Sequence, residues 1–163
     1  MKTFFGRALV GAGLLLALAG PAQAQSQSFA SQFTTDQVRR VALAGPIAPF
    51  KSAEVVKIAN GNPAVVLIAP GGTVVSVFGA TCTPTGCGEA RFLATVIPPA
   101  GVDRQQLVDR FNEQPRWAAA YVDGGKVTLV GSLLYEGGIS DANLAQYLAS
   151  IAHHAARLAK GEA

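Results

Sequence analysis

Charge is what this chain has least of: Asp, Glu, Lys and Arg make up 14% of 163 residues, while 50% are hydrophobic. That balance excludes intrinsic disorder for most of the length. Two cysteines are too few for a disulfide framework. Two histidines, both at 153 and 154, leave little material for acid–base or metal chemistry. Long apolar runs are missing as well. The longest, Ala8 to Ala19, has twelve residues, whereas a membrane-spanning helix needs about 20.

That short run has the layout of an export signal. Lys2 and Arg7 precede it, Gly20 and Pro21 break it, and Ala22-Gln23-Ala24 offers the small residues a signal peptidase accepts. Cleavage between Ala24 and Gln25 is expected. No twin arginine precedes the run and no cysteine lies near the cut to carry a lipid. The expected protein is therefore Sec-exported and periplasmic, or alternatively secreted, with no span in the mature chain. Removing 24 residues leaves 139, the size of one domain. The formal charge of +3 shrinks too, because loss of Lys2 and Arg7 leaves 11 basic residues against 10 acidic ones, or +1. Nothing here steers the protein to nucleic acid.

Residues 25–33 are polar and read as a loose lead-in, and the domain proper is expected over 34–160. Thr34 with Gln37 three residues on is a capping-box pattern, with Asp36 in the first turn and Gly45-Pro46 as the stop. β-Branched runs follow at 53–59, 64–69 and 73–78, separated by Asn60-Gly61-Asn62-Pro63 and Pro70-Gly71-Gly72. After a loop carrying Cys82 and Cys87, Ala90, Phe92, Ala94 and Val96 alternate with Glu89, Arg91 and Thr95, the period of a half-buried strand. Asp103 and Gln106 start a second helix, which ends by Pro115. Strands at 117–122 and 126–135 flank Asp123-Gly124-Gly125, a hairpin signal. Ser140 caps a last helix striped by Leu144, Tyr147, Leu148, Ile151, Ala155 and Leu158. The expected fold is a two-layer α+β domain with an antiparallel sheet, in the order helix, four strands, helix, two strands, helix.

Several linked segments resemble the YbjN-domain family, described as sensory transduction regulators of bacteria. They are Cys82 and Cys87 ahead of Glu89-Ala90-Arg91-Phe92, Phe111-Asn112, Arg116 to Gly124 (RWAAAYVDG), and Glu136 to Leu144 (EGGISDANL). Asn60-Gly61-Asn62-Pro63 and Gly79-Ala80-Thr81-Cys82 fit the pattern more loosely. The resemblance covers most of Thr34 to His154 and implies a fold similar to type III secretion chaperones and a binding role, with no catalytic residue to carry over. Two features depart from the family. Val130, Ser132 and Leu134 stand where members often carry acids, and a signal peptide removes the chain from cytoplasmic partners.

In an oxidising compartment Cys82 and Cys87 are expected to be disulfide-bonded across Thr83-Pro84-Thr85-Gly86. A redox-active pair and a metal site are the alternatives. Thiol oxidoreductases favour two intervening residues rather than four, and zinc wants four ligands. His153 and His154 point about 100° apart on a helix and cannot grip one metal as an i, i+4 pair would. A triad using Ser132 or Ser140 lacks a nucleophile-elbow pattern. Gly137-Gly138-Ile139-Ser140 opens a helix that could hold an anion, but Asp141 would repel it. Glu136 and Asp141 have no fixed separation that would make them a carboxylate pair. Trp117, Phe92, Phe78 and Tyr121 are expected to pack in the core.

No cofactor or metal is expected. The leading reading is a non-catalytic regulatory module that binds a protein partner or pairs as a homodimer, with Val130, Ser132 and Leu134 as its surface. A small thiol-disulfide enzyme and a structural envelope component are the alternatives.

Overall fold

The glycine-punctuated, β-branched segments form the strands of one large sheet in a computed structural model that describes residues 29–44, 47, 50–59, 61–114 and 116–163. The expected signal, its cleavage pair Ala24 and Gln25, the helix stop Gly45-Pro46, Asn60 and Pro115 lie outside the described residues. In chain order the elements are β1 (Phe29–Ala30), α1 (Thr35–Ala44), β2 (Ser52–Lys57), β3 (Pro63–Ile68), β4 (Val74–Thr83), β5 (Gly86–Val96), α2 (Arg104–Asn112), β6 (Ala118–Asp123), β7 (Lys126–Leu134), β8 (Ile139–Ser140) and α3 (Asp141–Ala159).

Six strands pair antiparallel in the order β2-β3-β4-β5-β7-β6. Hairpins join neighbours, and α2 carries the chain from β5 past the place of β7 to the edge strand β6. The Gly124-Gly125 turn has φ of 53° and 78°, the left-handed pair that a two-residue hairpin requires. Around the cysteines the sequence suggests a loop, but the strands run on to leave only Pro84 and Thr85 between the paired Thr83 and Gly86. The threonine-rich, β-branched run continues the ladder, and Cys82 and Cys87 become directly opposed partners.

All three helices pack on one face. Val65, Leu67, Val77, Phe92, Leu129 and their neighbours point inward and are buried. The α3 stripe meets them as expected, with Leu144, Leu148, Ile151, Ala155 and Leu158 fully buried and Tyr147 at its flank. Burying each large apolar side chain contributes about 1.5–3 kcal/mol, so this contact supplies a substantial part of the core. Asp103 caps α2 by accepting from the backbone N–H groups of Gln105 and Gln106, and Ser140 caps α3 by accepting from Asn143.

At α1 only half of the capping box forms. Thr34 accepts from the Gln37 N–H at 3.2 Å, but the Gln37 side chain is drawn into the core instead. There its Oε1 accepts from the Tyr135 hydroxyl and its Nε2 donates to Asp141. Within the expected lead-in, Phe29, Ala30 and Phe33 are tied into the fold. β1 pairs with β8, and buried Phe33 donates its N–H to the Cys87 carbonyl at 2.8 Å. An aromatic with a place in the core fixes a stretch whose polar composition hid it. Among the described residues no helix is long and apolar enough to cross a membrane.

Candidate functional site

The second face of the sheet is covered by no described element, and strand alternation decides what it carries. Because β5 buries Ala90, Phe92 and Ala94, it turns Glu89, Arg91, Leu93 and Thr95 outward. Register aligns Phe78 with Arg91 on one side and Ser132 with Arg91 on the other. Glu89 lies beside Leu134, and Leu93 beside Val130. The three positions singled out in the sequence, Val130, Ser132 and Leu134, therefore share this outer face, with Leu134 62% exposed. Phe78 and Tyr121 join them there, Tyr121 being 46% exposed. They were expected in the core. The register of the strands places them on a common side, opposite the one the helices cover.

A polar cluster sits within this apolar surface. Glu89 is almost wholly buried, and its carboxylate accepts from Arg91 Nε at 3.0 Å, Ser132 Oγ at 2.8 Å and Thr81 Oγ1 at 3.2 Å. The Arg91 and Ser132 bonds hold its pKa below the usual carboxylate value and outweigh the opposing effect of burial. Thr81 reaches Glu89 from a left-handed backbone, φ 51°, a conformation that costs a β-branched residue about 1–3 kcal/mol. Arg91 uses only Nε inward. Its side chain is 52% exposed, and among the described residues nothing accepts from Nη1 or Nη2. The arrangement can present a fixed guanidinium edge, framed by Phe78, Leu93, Val130 and Leu134, to a second molecule.

The cysteine pair lies at one end of the sheet. Cys82 and Cys87 are joined, as expected, with Cα atoms 3.9 Å apart. Cys82 is exposed, whereas Cys87 is buried against Phe33 and Gly79. The closed hairpin tip thus holds the N-terminal segment as well as its own two strands.

Other candidates do not converge on the outer face. His153 is exposed, and His154 sits edge-on to Phe111 while its Nδ1 meets Arg116 Nη1 at 3.0 Å. Since Arg116 can only donate, that nitrogen carries no proton. Burial, aided by the positive charges of Arg116, His153 and Arg157, pushes His154 down to about 4. Ser140 is a helix cap, and Ser132 donates to Glu89, so neither meets a histidine. Asp141 is bonded to Arg40 and Gln37 at the start of α3, away from any pairing with Glu136. Burial and Asp141 push the Tyr135 hydroxyl in this network above its ordinary pKa.

Trp117 packs edge-on to Phe92, ring centres 5.4 Å apart, and donates to Ser150 at 2.9 Å. Beside it a shallow cleft of about 230 Å³ is lined by Gln146, Tyr147 and Ser150. Among the described residues no group of three or more His, Cys, Asp or Glu could hold a metal ion.

Sequence reasoning missed two arrangements. Glu89 and Arg91 read as the polar half of an alternating strand, with no sign that a carboxylate would be buried on the outer side. Asn112 was noted only for following Phe111. It clamps the sheet edge, donating to the Ala120 carbonyl at 2.8 Å and accepting from the Ala120 N–H at 2.9 Å. An asparagine at a helix end just ahead of an edge strand is a usable signal, because those strand groups need partners.

A search of curated proteins finds no match to the chain. A family model described as "Putative bacterial sensory transduction regulator" matches residues 57–161, from the end of β2 to beyond α3. That span takes in the cysteine hairpin, the Glu89–Arg91 cluster and the Asn112 clamp, and with most of its length matched the chain belongs to the YbjN family.

Proposed function

We propose that the protein is an exported, non-catalytic regulatory module that binds a protein partner through the outer face of its six-stranded sheet. One observation carries the binding part: no described helix lies on that face, yet Leu134, Val74 and Tyr121 expose large apolar side chains on it. Large apolar side chains left exposed on an uncovered sheet face support an interaction surface there. Membership of a regulator family supports the same reading. Export rests on the signal-like residues 1–24, and the cysteine pair suits an oxidising compartment.

Two measurements test it. Intact mass of protein purified from cells is expected to correspond to a chain starting at Gln25 and two hydrogens lighter than the dithiol. A full-length, fully reduced chain contradicts export. Leu134→Lys places a charge on the exposed face without touching the core and is expected to abolish co-purification of whatever partner the wild type retains. Unchanged partner recovery contradicts the assignment of the face.

A further inference from the structure

We infer that the outer face recognises a protein segment by its carboxylate, with Arg91 as the residue that determines specificity. This rests on the binding role proposed for that face. Arg91 is committed through Nε alone, whereas Arg40, also exposed, spends Nη1 and Nη2 on Asp141. Nε donates to Glu89, and Glu89 is itself held by Ser132 and Thr81 from the two flanking strands. The planar group is therefore anchored at Nε, while its side chain is 52% exposed and, among the described residues, Nη1 and Nη2 have no acceptor.

Two parallel N–H donors at fixed spacing match the two oxygens of a carboxylate. Preorganisation lowers the entropy lost when such a pair forms. The surroundings make the match selective. Phe78, Leu93, Val130 and Leu134 ring the site with apolar surface, so a partner seated there excludes water from the guanidinium. A partner without an acid would then leave Nη1 and Nη2 of Arg91 desolvated without acceptors, a costly outcome even with Nε held by Glu89. A lysine in the partner would meet a like charge. The occupant that satisfies both parts is a peptide segment with one Asp or Glu flanked by apolar side chains.

The test uses a phage-displayed library of random dodecapeptides, selected on the protein as cells process it from the full-length gene. Enriched sequences are expected to share an Asp or Glu between apolar residues. A synthetic copy is expected to shift the amide resonances of Arg91, Leu93, Ser132 and Leu134. Arg91→Gln should weaken that peptide about tenfold or more, and Glu→Gln in the peptide should cost the same factor in wild type but almost nothing more against Arg91→Gln. Arg110→Gln, which removes an exposed charge on α2, should leave affinity unchanged.

Peptides that shift the sheet-face resonances yet lack an acid, or bind Arg91→Gln as well as wild type, overturn the carboxylate assignment and leave the face as a binding surface. Enriched peptides that map to the helical side, a library that yields no binder, or a self-associating copy that occupies the face overturn the assignment together with the role of the face.

Discussion

His154 is a single side chain with a direct effect on stability. Its folded pKa of about 4 lies below the ordinary 6.5, so between these values the unfolded chain binds a proton that the folded one refuses. Its contribution is complete above about pH 6.5 and is lost as pH falls through about 4. Arg116, His153 and Arg157 supply the neighbouring positive charge, and Phe111 supplies the apolar wall. His154→Gln keeps an acceptor for Arg116 but cannot titrate. Denaturant melts at pH 7 and pH 5 are expected to show less acid destabilisation in the variant than in wild type. Gly131 is a second such position. A Cβ there would lie 1.9 Å from the Trp117 ring, and that ring is held by Ser150, Phe92 and Tyr147. Gly131→Ala should cost about 1–3 kcal/mol through overpacking, read from urea midpoints, with a shift in the Trp117 emission.

Among elements, the sheet edge at β6 depends on α2 through one residue. Asn112 gives the Ala120 N–H and carbonyl the partners that an edge strand otherwise seeks from another chain. Asn112→Ala should lower stability by about 1 kcal/mol and raise the rate of aggregation by light scattering, whereas Asn112→Asp keeps the acceptor alone and should fall between. The cysteine hairpin works differently. Closing so short a loop contributes about 2 kcal/mol in the chain-entropy model, and its position under Phe33 extends that effect to the N-terminal segment.

Elements of this kind were largely legible in the sequence. The caps at Asp103 and Ser140, the Gly124-Gly125 hairpin and the α3 stripe are local, and each lies where its local signal puts it. The ordered Phe29–Phe33 segment was not legible, because its order comes from Cys87 and β8, far along the chain.

Seen as a whole molecule, the protein is a sheet with one face buried under three helices and the other carrying both apolar surface and a braced arginine. Alternation along a strand tells which residues share a side but not which side the helices will cover. Phe78 and Tyr121 show this limit, since their outward position follows only once the register of β4, β5, β7 and β6 is known. The Glu89 cluster has the same origin: its donors come from three strands, and residues 81 and 132 have no sequence relation to 89. Val130, Ser132 and Leu134 were singled out because they stand where acids were expected in a family pattern, and strand register places them together on the outer face.

The binding role of the outer face is most directly tested by site-specific photo-crosslinking in the native cell. A photoreactive phenylalanine analogue is placed singly at Leu134 and Tyr121 on that face, and at Arg39 and His153 on the helical side. Discrete adducts from the first pair and none from the second are the expected result; adducts confined to the helical positions would contradict the account.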